Sequence, residues 1–253
     1  MLRGFARFVE IWSLTSPRRV LFSFLMQYVK TSAFVLFTLT SFIQISSQER
    51  TASPAGMARL AHDRDYSDVT DIPNVHVDLR YASENNFLGQ NLYGDFHRCF
   101  LHRVAAEKLR QAAHDLQQAK PGWKLLVFDC LRPRSLQEKL FAAVKGTPRQ
   151  PYVANPRTGS IHNYGLAIDL SLEDEKGQEV DMGTKFDDFT PLAQPAVERE
   201  NLASGKLTHE QVEHRLLLRK IMTGAGFLQL PIEWWHYDAL PKTDVRKNFK
   251  IVE

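Results

Sequence analysis

Two short segments of this chain carry side chains that can hold a cation and move a proton. The first reads Ser160-Ile-His162-Asn-Tyr-Gly165-Leu-Ala-Ile-Asp169, the second Ile232-Glu233-Trp-Trp-His236-Tyr237. Two imidazoles and one carboxylate, His162, His236 and Asp169, supply three ligands of the kind Zn²⁺ takes at catalytic sites, with a fourth position left to water. With both imidazoles neutral, such an assembly, one ion per chain, keeps a net positive charge. That charge acidifies the water and polarises a carbonyl. Glu233, not needed as a ligand, is then free to accept the water proton.

A third segment, Phe128-Asp129-Cys130-Leu131-Arg132-Pro133, places an arginine at the end of an apolar run. Its planar donors suit a carboxylate or a developing oxyanion. The same spacing fits a structural Asp129–Arg132 pair, and both readings stand at this level. Other clusters carry less. His209-Glu-Gln-Val-Glu-His214 resembles a zincin motif, but its imidazoles are five residues apart, about 140° around a helix. It reads as the solvated face of a capped helix. His97, Cys99 and His102 lack a second matching pair and read as packing and surface residues.

These side chains need elements to position them. Leu166, Ile168, Leu170 and Leu172 share one parity of a strand, while Ala167, Asp169 and Ser171 share the other, which turns Asp169 toward a cleft. Gly165 lets the backbone turn between His162 and that strand. Glu233 and His236 would face opposite sides of an ideal strand over 233–237, so a bulge or bend must bring them together. Leu125–Phe128 is apolar on both faces and reads as a central strand. Strands are also expected over 75–81, 179–182 and 227–230. Helices are expected over 103–119, from Pro133 to about Val144, and over 209–223, the last opened by a Thr208/Gln211 capping box. Loops are expected over 83–98 and 145–160, and a polar linker over 49–74. Strands and helices mix without a βαβ rhythm. The class is therefore α+β: one domain over 75–253 with a central, mainly antiparallel sheet flanked by helices.

Of 253 residues, 43% are hydrophobic and 24% charged, the balance of a soluble globular chain. The net charge of +3 is unevenly spread. Residues 1–48 carry Arg3, Arg7, Arg18, Arg19 and Lys30 against Glu10 alone, so the body has no basic excess and nucleic acid is not an expected partner. Residues 33–45 are uncharged and mostly apolar, follow Lys30 and precede Ser46-Ser47-Gln48. That run is short for a membrane span of about 20 residues and suits a secretory signal, with Met26 as an alternative start. A longer interrupted anchor over 20–45 is the competing reading, and membrane contact is expected only through this leader. The expected location is outside the cytoplasm, in a periplasm. In that setting Cys99 and Cys130 either pair or stay as two buried thiols, since sequence does not set their distance.

Ser-x-His-x-x-Gly-x-Ala-x-Asp followed by Glu-Trp-Trp-His resembles the D-alanyl-D-alanine dipeptidases, within the zinc peptidases that include D,D-carboxypeptidases and hedgehog-like domains. The likeness runs from about Val75 to Tyr237. It includes Arg80-Tyr-Ala, the Asp-x-x-Arg-Pro turn and Met182-Gly-Thr-Lys-Phe-Asp187. The resemblance implies a hedgehog-like D,D-peptidase fold. It also implies zinc on His162, Asp169 and His236, Glu233 as base, and Arg132 stabilising the tetrahedral intermediate. Asp187 would hold the dipeptide's ammonium and Ser160 would touch substrate. Cys130 departs from the pattern, which has a glycine there. The implied activity is hydrolysis of D-Ala-D-Ala to two D-alanines in cell-wall peptide turnover. The alternatives are a D,D-carboxypeptidase or endopeptidase of the same group, a non-haem iron oxygenase, and a non-catalytic zinc-containing binding domain. An iron oxygenase leaves Glu233 unexplained, and a binding domain has no use for Glu233 and Arg132 together. The leader yields its own expectation: the mature chain begins between about Ser46 and Ala55, which N-terminal sequencing of the native protein checks. Intact residues 33–45 recovered in membranes would favour the anchor.

Overall fold

The computed structural model describes residues 57–253; the leader and its expected cleavage region lie outside the described residues. Seven short strands appear: β1 (Tyr66–Asp68), β2 (Val75–Val77), β3 (Phe100–His102), β4 (Lys124–Asp129), β5 (Ala167–Glu173), β6 (Leu228–Gln229) and β7 (His236–Asp238). Five form one sheet in the order β2-β4-β5-β7-β6. Only the β2–β4 pair is parallel, so the sheet is mainly antiparallel, as expected. The class is α+β.

The interior of the sheet follows from its sequence. In β4 only Lys124 is exposed, and Leu125 through Asp129 are buried. All seven residues of β5 are buried. Strand register does the rest. Asp129 lies opposite Asp169, and Asp169 opposite His236, so three polar side chains form a row across β4, β5 and β7. A register shift between Val127 and Asp129 ends the regular ladder of β4 at this row.

The helices are α1 (Arg103–Ala119), α2 (Arg134–Val144), α3 (Glu198–Ala203), α4 (His209–Gly224) and α5 (Lys242–Asn248). In α1, Ala105, Leu109, Ala112 and Leu116 recur at helical spacing, are buried, and pack toward β3, β4 and α4. The α4 capping box forms as read: Gln211 N donates to Thr208 Oγ1 at 3.2 Å, and Thr208 N donates to Gln211 Oε1 at 2.9 Å. Among the described residues no helix is long and apolar enough to cross a membrane.

Several boundaries differ from expectation. The strand expected over 75–81 stops at Val77, and Arg80–Ala82 forms a 3₁₀ turn whose Arg80 guanidinium lies 4.2 Å over the Phe128 ring. The segment expected as linker joins the domain from residue 57. Met57, Leu60, Val69 and Ile72 enter the core, and β1 pairs with β3. Four widely spaced apolar residues and a three-residue strand leave no periodic trace in sequence. The hairpin partner expected over 179–182 reduces to one bridge between Glu173 and Glu179. The last strand begins at His236 instead of Glu233, and α3 and α5 had no sequence-level counterpart.

Cys99, just before β3, and Cys130, just after β4, form a disulfide with Cα atoms 5.8 Å apart. Gly165 sits at φ 67°, the left-handed cap of the turn carrying His162. A Cβ there would lie 2.9 Å from the backbone nitrogen of His102 and 3.0 Å from the Tyr66 ring. Gly165→Ala is therefore expected to destabilise the fold by more than the ~1–2 kcal/mol of the left-handed conformation alone. Urea unfolding checks this, and a change under about 0.5 kcal/mol would mean the backbone relaxes freely.

Candidate active site

His162 lies on a short 3₁₀ turn, Ile161–Tyr164, capped at both ends. Its own N–H donates to Ser160 Oγ at 3.4 Å, and Ser160 N donates to Asn163 Oδ1 at 2.7 Å. Arg132 N donates to the His162 carbonyl at 3.0 Å, and Asn163 Nδ2 returns a bond to the Arg132 carbonyl at 2.7 Å. The turn is thereby stitched to the end of β4. His162 Nδ1 donates to the Cys130 carbonyl at 2.7 Å, leaving Nε2 as a bare lone pair.

His236 opens β7 and is oriented in a similar way. Its Nε2 donates to Asp238 Oδ1 at 2.9 Å, so Nδ1 carries the lone pair. The two bare nitrogens are 3.2 Å apart. Asp169 completes the group, with Oδ2 3.3 Å from His162 Nε2 and Oδ1 2.9 Å from His236 Nδ1. All three ligand atoms lie within 4.8 Å of one another and all three residues are buried. Three acceptors thus converge with no donor among them, an arrangement that calls for a cation. The donor set of two imidazole nitrogens and one carboxylate fits a divalent metal such as zinc.

The electrostatics agree. Burial works against charge on Asp169, but the two imidazoles outweigh it and hold the carboxyl far below the usual range. Burial also opposes charge on His236, yet Asp238 and Asp169 together push it up to about 10.

The expected base and oxyanion group flank this cluster. The chain bends through Pro231–Trp235, which brings Glu233 Oε2 to 3.9 Å from His236 Nδ1. Burial, the largest influence, pushes the Glu233 carboxyl up to about 7, and the neighbouring His236 pulls it back down. Arg132 is both a structural partner and a site residue. Nε and Nη2 donate to Asp129 Oδ2 at 2.9 and 2.5 Å, and Nη1 donates to Gln137 Oε1 at 2.8 Å. Two of its five N–H groups remain, and Nη2 lies 3.8 Å from Asp169 Oδ2.

A cavity of about 180 Å³ is lined by all seven residues singled out in the sequence: Glu233, Arg132, His162, Asp169, His236, Asp187 and Ser160. Asp187 forms part of its wall from a left-handed backbone position, φ 61°. Tyr81 Oη donates toward both its carboxylate oxygens at 3.2 Å. Desolvation, then the charge of Asp169, raises the Asp187 carboxyl well above its usual range.

A family model described as D-ala-D-ala dipeptidase matches residues 63–252. This chain belongs to the D-Ala-D-Ala dipeptidase family. The chain is similar to a D-alanyl-D-alanine dipeptidase of Escherichia coli, 35% identical over 173 residues, covering 66% of this chain and 79% of the relative. A D-alanyl-D-alanine dipeptidase of Synechocystis sp. is 32% identical over 161 residues, covering 52% of this chain and 65% of that protein.

Within this dipeptidase-family chain, other residues support the site, and of these only Asp129 is singled out by sequence, as a structural partner of Arg132. Asp238 orients His236, Gln137 and Asp129 hold Arg132, and Tyr81 and the Phe87 N–H hold Asp187. Of the others only Asp238 left a signal: two residues beyond His236 in a strand, it shares that face. The discarded clusters stay outside the site. His102 accepts from Val104 N at 3.3 Å as the cap of α1, and His214 Nδ1 donates to the Asp181 carbonyl at 2.8 Å. Among the described residues the only group able to hold a metal is His162, Asp169 and His236.

His162→Ala, Asp169→Ala and His236→Ala are each expected to lower bound metal sharply, since each removes one of three ligands. Asp238→Ala keeps all three and is expected to weaken metal affinity by about 10–100-fold through loss of orientation. Metal per chain and chelator competition on folded variants check both. Full occupancy in any ligand variant removes that residue from the set.

Proposed function

We propose that this protein is a zinc-dependent dipeptidase that hydrolyses D-Ala-D-Ala to two D-alanines, outside the cytoplasm, in the turnover of cell-wall peptides. The observation that carries the reading is one cavity joining three cation ligands, an unliganded glutamate, an arginine with free donors and a polarised aspartate, in a chain of this family.

Zinc held by His162, Asp169 and His236 would polarise the scissile carbonyl and acidify a water. Glu233 accepts a proton as the water oxygen bonds to the carbonyl carbon. It then returns that proton to the leaving amine nitrogen as the C–N bond breaks. The two free N–H groups of Arg132 face the charge that develops on the carbonyl oxygen, and Asp129 and Gln137 keep them from turning away. Asp187 binds the free ammonium of the dipeptide. An arriving ammonium favours the ionised form of a carboxyl that its surroundings otherwise push toward neutrality. An anion placed for a free amino terminus suits a dipeptide and opposes a longer chain. Ser160 borders the same cavity as a substrate contact. The disulfide supports export, because such bonds persist in oxidising compartments.

Glu233→Gln is expected to keep zinc and to lose about 10²–10⁴-fold in kcat. Arg132→Ala is expected to keep zinc and to lose about 10²–10³-fold. Asp187→Asn should raise KM for D-Ala-D-Ala more than it lowers kcat. Released D-alanine, measured with and without chelator, checks all three. Near-normal kcat in Glu233→Gln would remove the mechanism, and preferred release from a D-Ala-D-Ala-ended pentapeptide would replace the dipeptidase reading with a carboxypeptidase.

A further inference from the structure

The segment Asp129–Arg132 does three jobs within four residues. Asp129 holds the Arg132 guanidinium. The Cys130 carbonyl fixes the His162 ring, and Arg132 N fixes the His162 main chain. Sheet pairing reaches only the segment's first residue, since Asp129 lies opposite Asp169 just past the register shift in β4 and Cys130–Arg132 lie beyond the ladder. Only a few bonds hold it from behind. Leu131 N donates to the Phe100 carbonyl at 2.9 Å, and Tyr93 Oη donates to Asp129 Oδ1 at 2.9 Å. Tyr93 Oη also reaches the Leu131 carbonyl at 3.4 Å, and Asn163 Nδ2 donates to the Arg132 carbonyl at 2.7 Å. One further tie is covalent, the Cys99–Cys130 bridge, which joins the segment to the residue before β3. Both cysteines are buried.

We infer that the Cys99–Cys130 disulfide is a positioning element of the metal site: it sets the Cys130 carbonyl that orients His162 and, through the same four residues, the aim of Arg132. Neither cysteine touches substrate, and the bridge acts through His162 and Arg132. Metal ligands and transition-state donors tolerate only about 0.5 Å of misplacement, and one covalent anchor at the second of the segment's four residues supplies that constraint. The inference rests on the reading of His162, Asp169 and His236 as a metal site.

The test uses the full-length mature protein, its metal removed, and zinc alone as probe. Cys99→Ala/Cys130→Ala is compared with Leu116→Ala, a buried change in α1 that costs stability and leaves the segment alone. Circular dichroism and urea unfolding establish that each variant is folded at the temperature used. The double cysteine variant is expected to bind zinc about 10–100-fold more weakly, the effect of losing ligand orientation, with kcat falling further than KM rises. Leu116→Ala is expected to hold zinc within twofold of the parent. A double variant that is folded and binds zinc within twofold of the parent overturns the proposal and leaves the bridge a purely structural staple. Should that variant not fold, the native protein is reduced with a phosphine. Two electrons cleave the S–S bond to two thiols, and the phosphine becomes its oxide with oxygen from water. Thiols are counted and zinc competition repeated; unchanged affinity with two free thiols is again fatal. His162→Ala runs alongside. If it binds zinc as the parent does, the metal reading itself has failed, whereas loss there with intact binding in the cysteine variant fails the clamp alone.

Discussion

Acidic side chains are gathered in the interior of this protein around a single site. Asp129, Asp169, Glu233 and Asp238 are all buried around one cavity, with Arg132 the buried guanidinium among them and Lys242 reaching Asp238 from the surface at 3.8 Å. Burying unpaired carboxylates is costly, several kcal/mol each even after relaxation, so a fold that gathers them must supply compensation. Part is internal, in the Asp129–Arg132 pair. The rest falls to whatever occupies the space between His162, Asp169 and His236, and the two imidazoles are oriented to present lone pairs to it. The same balance divides the labour among the acids. Asp169, which faces two imidazoles, is held charged, while Glu233, less well compensated, is pushed toward neutrality, the condition of a proton carrier.

The architecture can be read as the means of keeping that cluster in place. Strand register gives the row Asp129–Asp169–His236, because pairing fixes the lateral spacing and parity fixes the face. The turn before β5 brings in His162 from outside the sheet, and the bend before β7 brings in Glu233. Irregular backbone therefore appears where regular pairing could not deliver a side chain: at the register shift in β4, the left-handed Gly165, the bend at Pro231–Trp235 and the left-handed Asp187. Asp187 lines the cavity and the bend carries Glu233 into it, while Gly165 caps the turn that bears His162 and the register shift precedes the segment that ends in Arg132.

That division explains what the sequence could disclose. The convergence of His162, Asp169 and His236 was legible because few residue types do that chemistry and their flanking patterns were distinctive. The core of the fold was legible where one element carries its own periodicity, as in α1 and β4. Residues 57–74 were not, since their few apolar side chains gain meaning only against β3 and the core. The pairing of Cys99 with Cys130 was open for the same reason: proximity across 31 positions is a property of the folded chain. Spacing set a structural role for Arg132 against a chemical one, whereas the geometry lets the ion pair with Asp129 serve the chemistry. Tyr81 and Gln137 had no signal, being ordinary core residues by sequence and supports only by position.

The bend that delivers Glu233 and His236 has a consequence for how the molecule is made. His236 lies 67 positions beyond Asp169. Synthesis proceeds from the N-terminus, so His162 and Asp169 emerge well before the residue that completes their group. On the proposed reading, a chain cut short before β7 lacks both His236 and the strand that joins β5 to β6, so neither the cation-binding group nor the continuous sheet is whole. The last of the three side chains arrives with the strand that completes the sheet, and site and sheet close together.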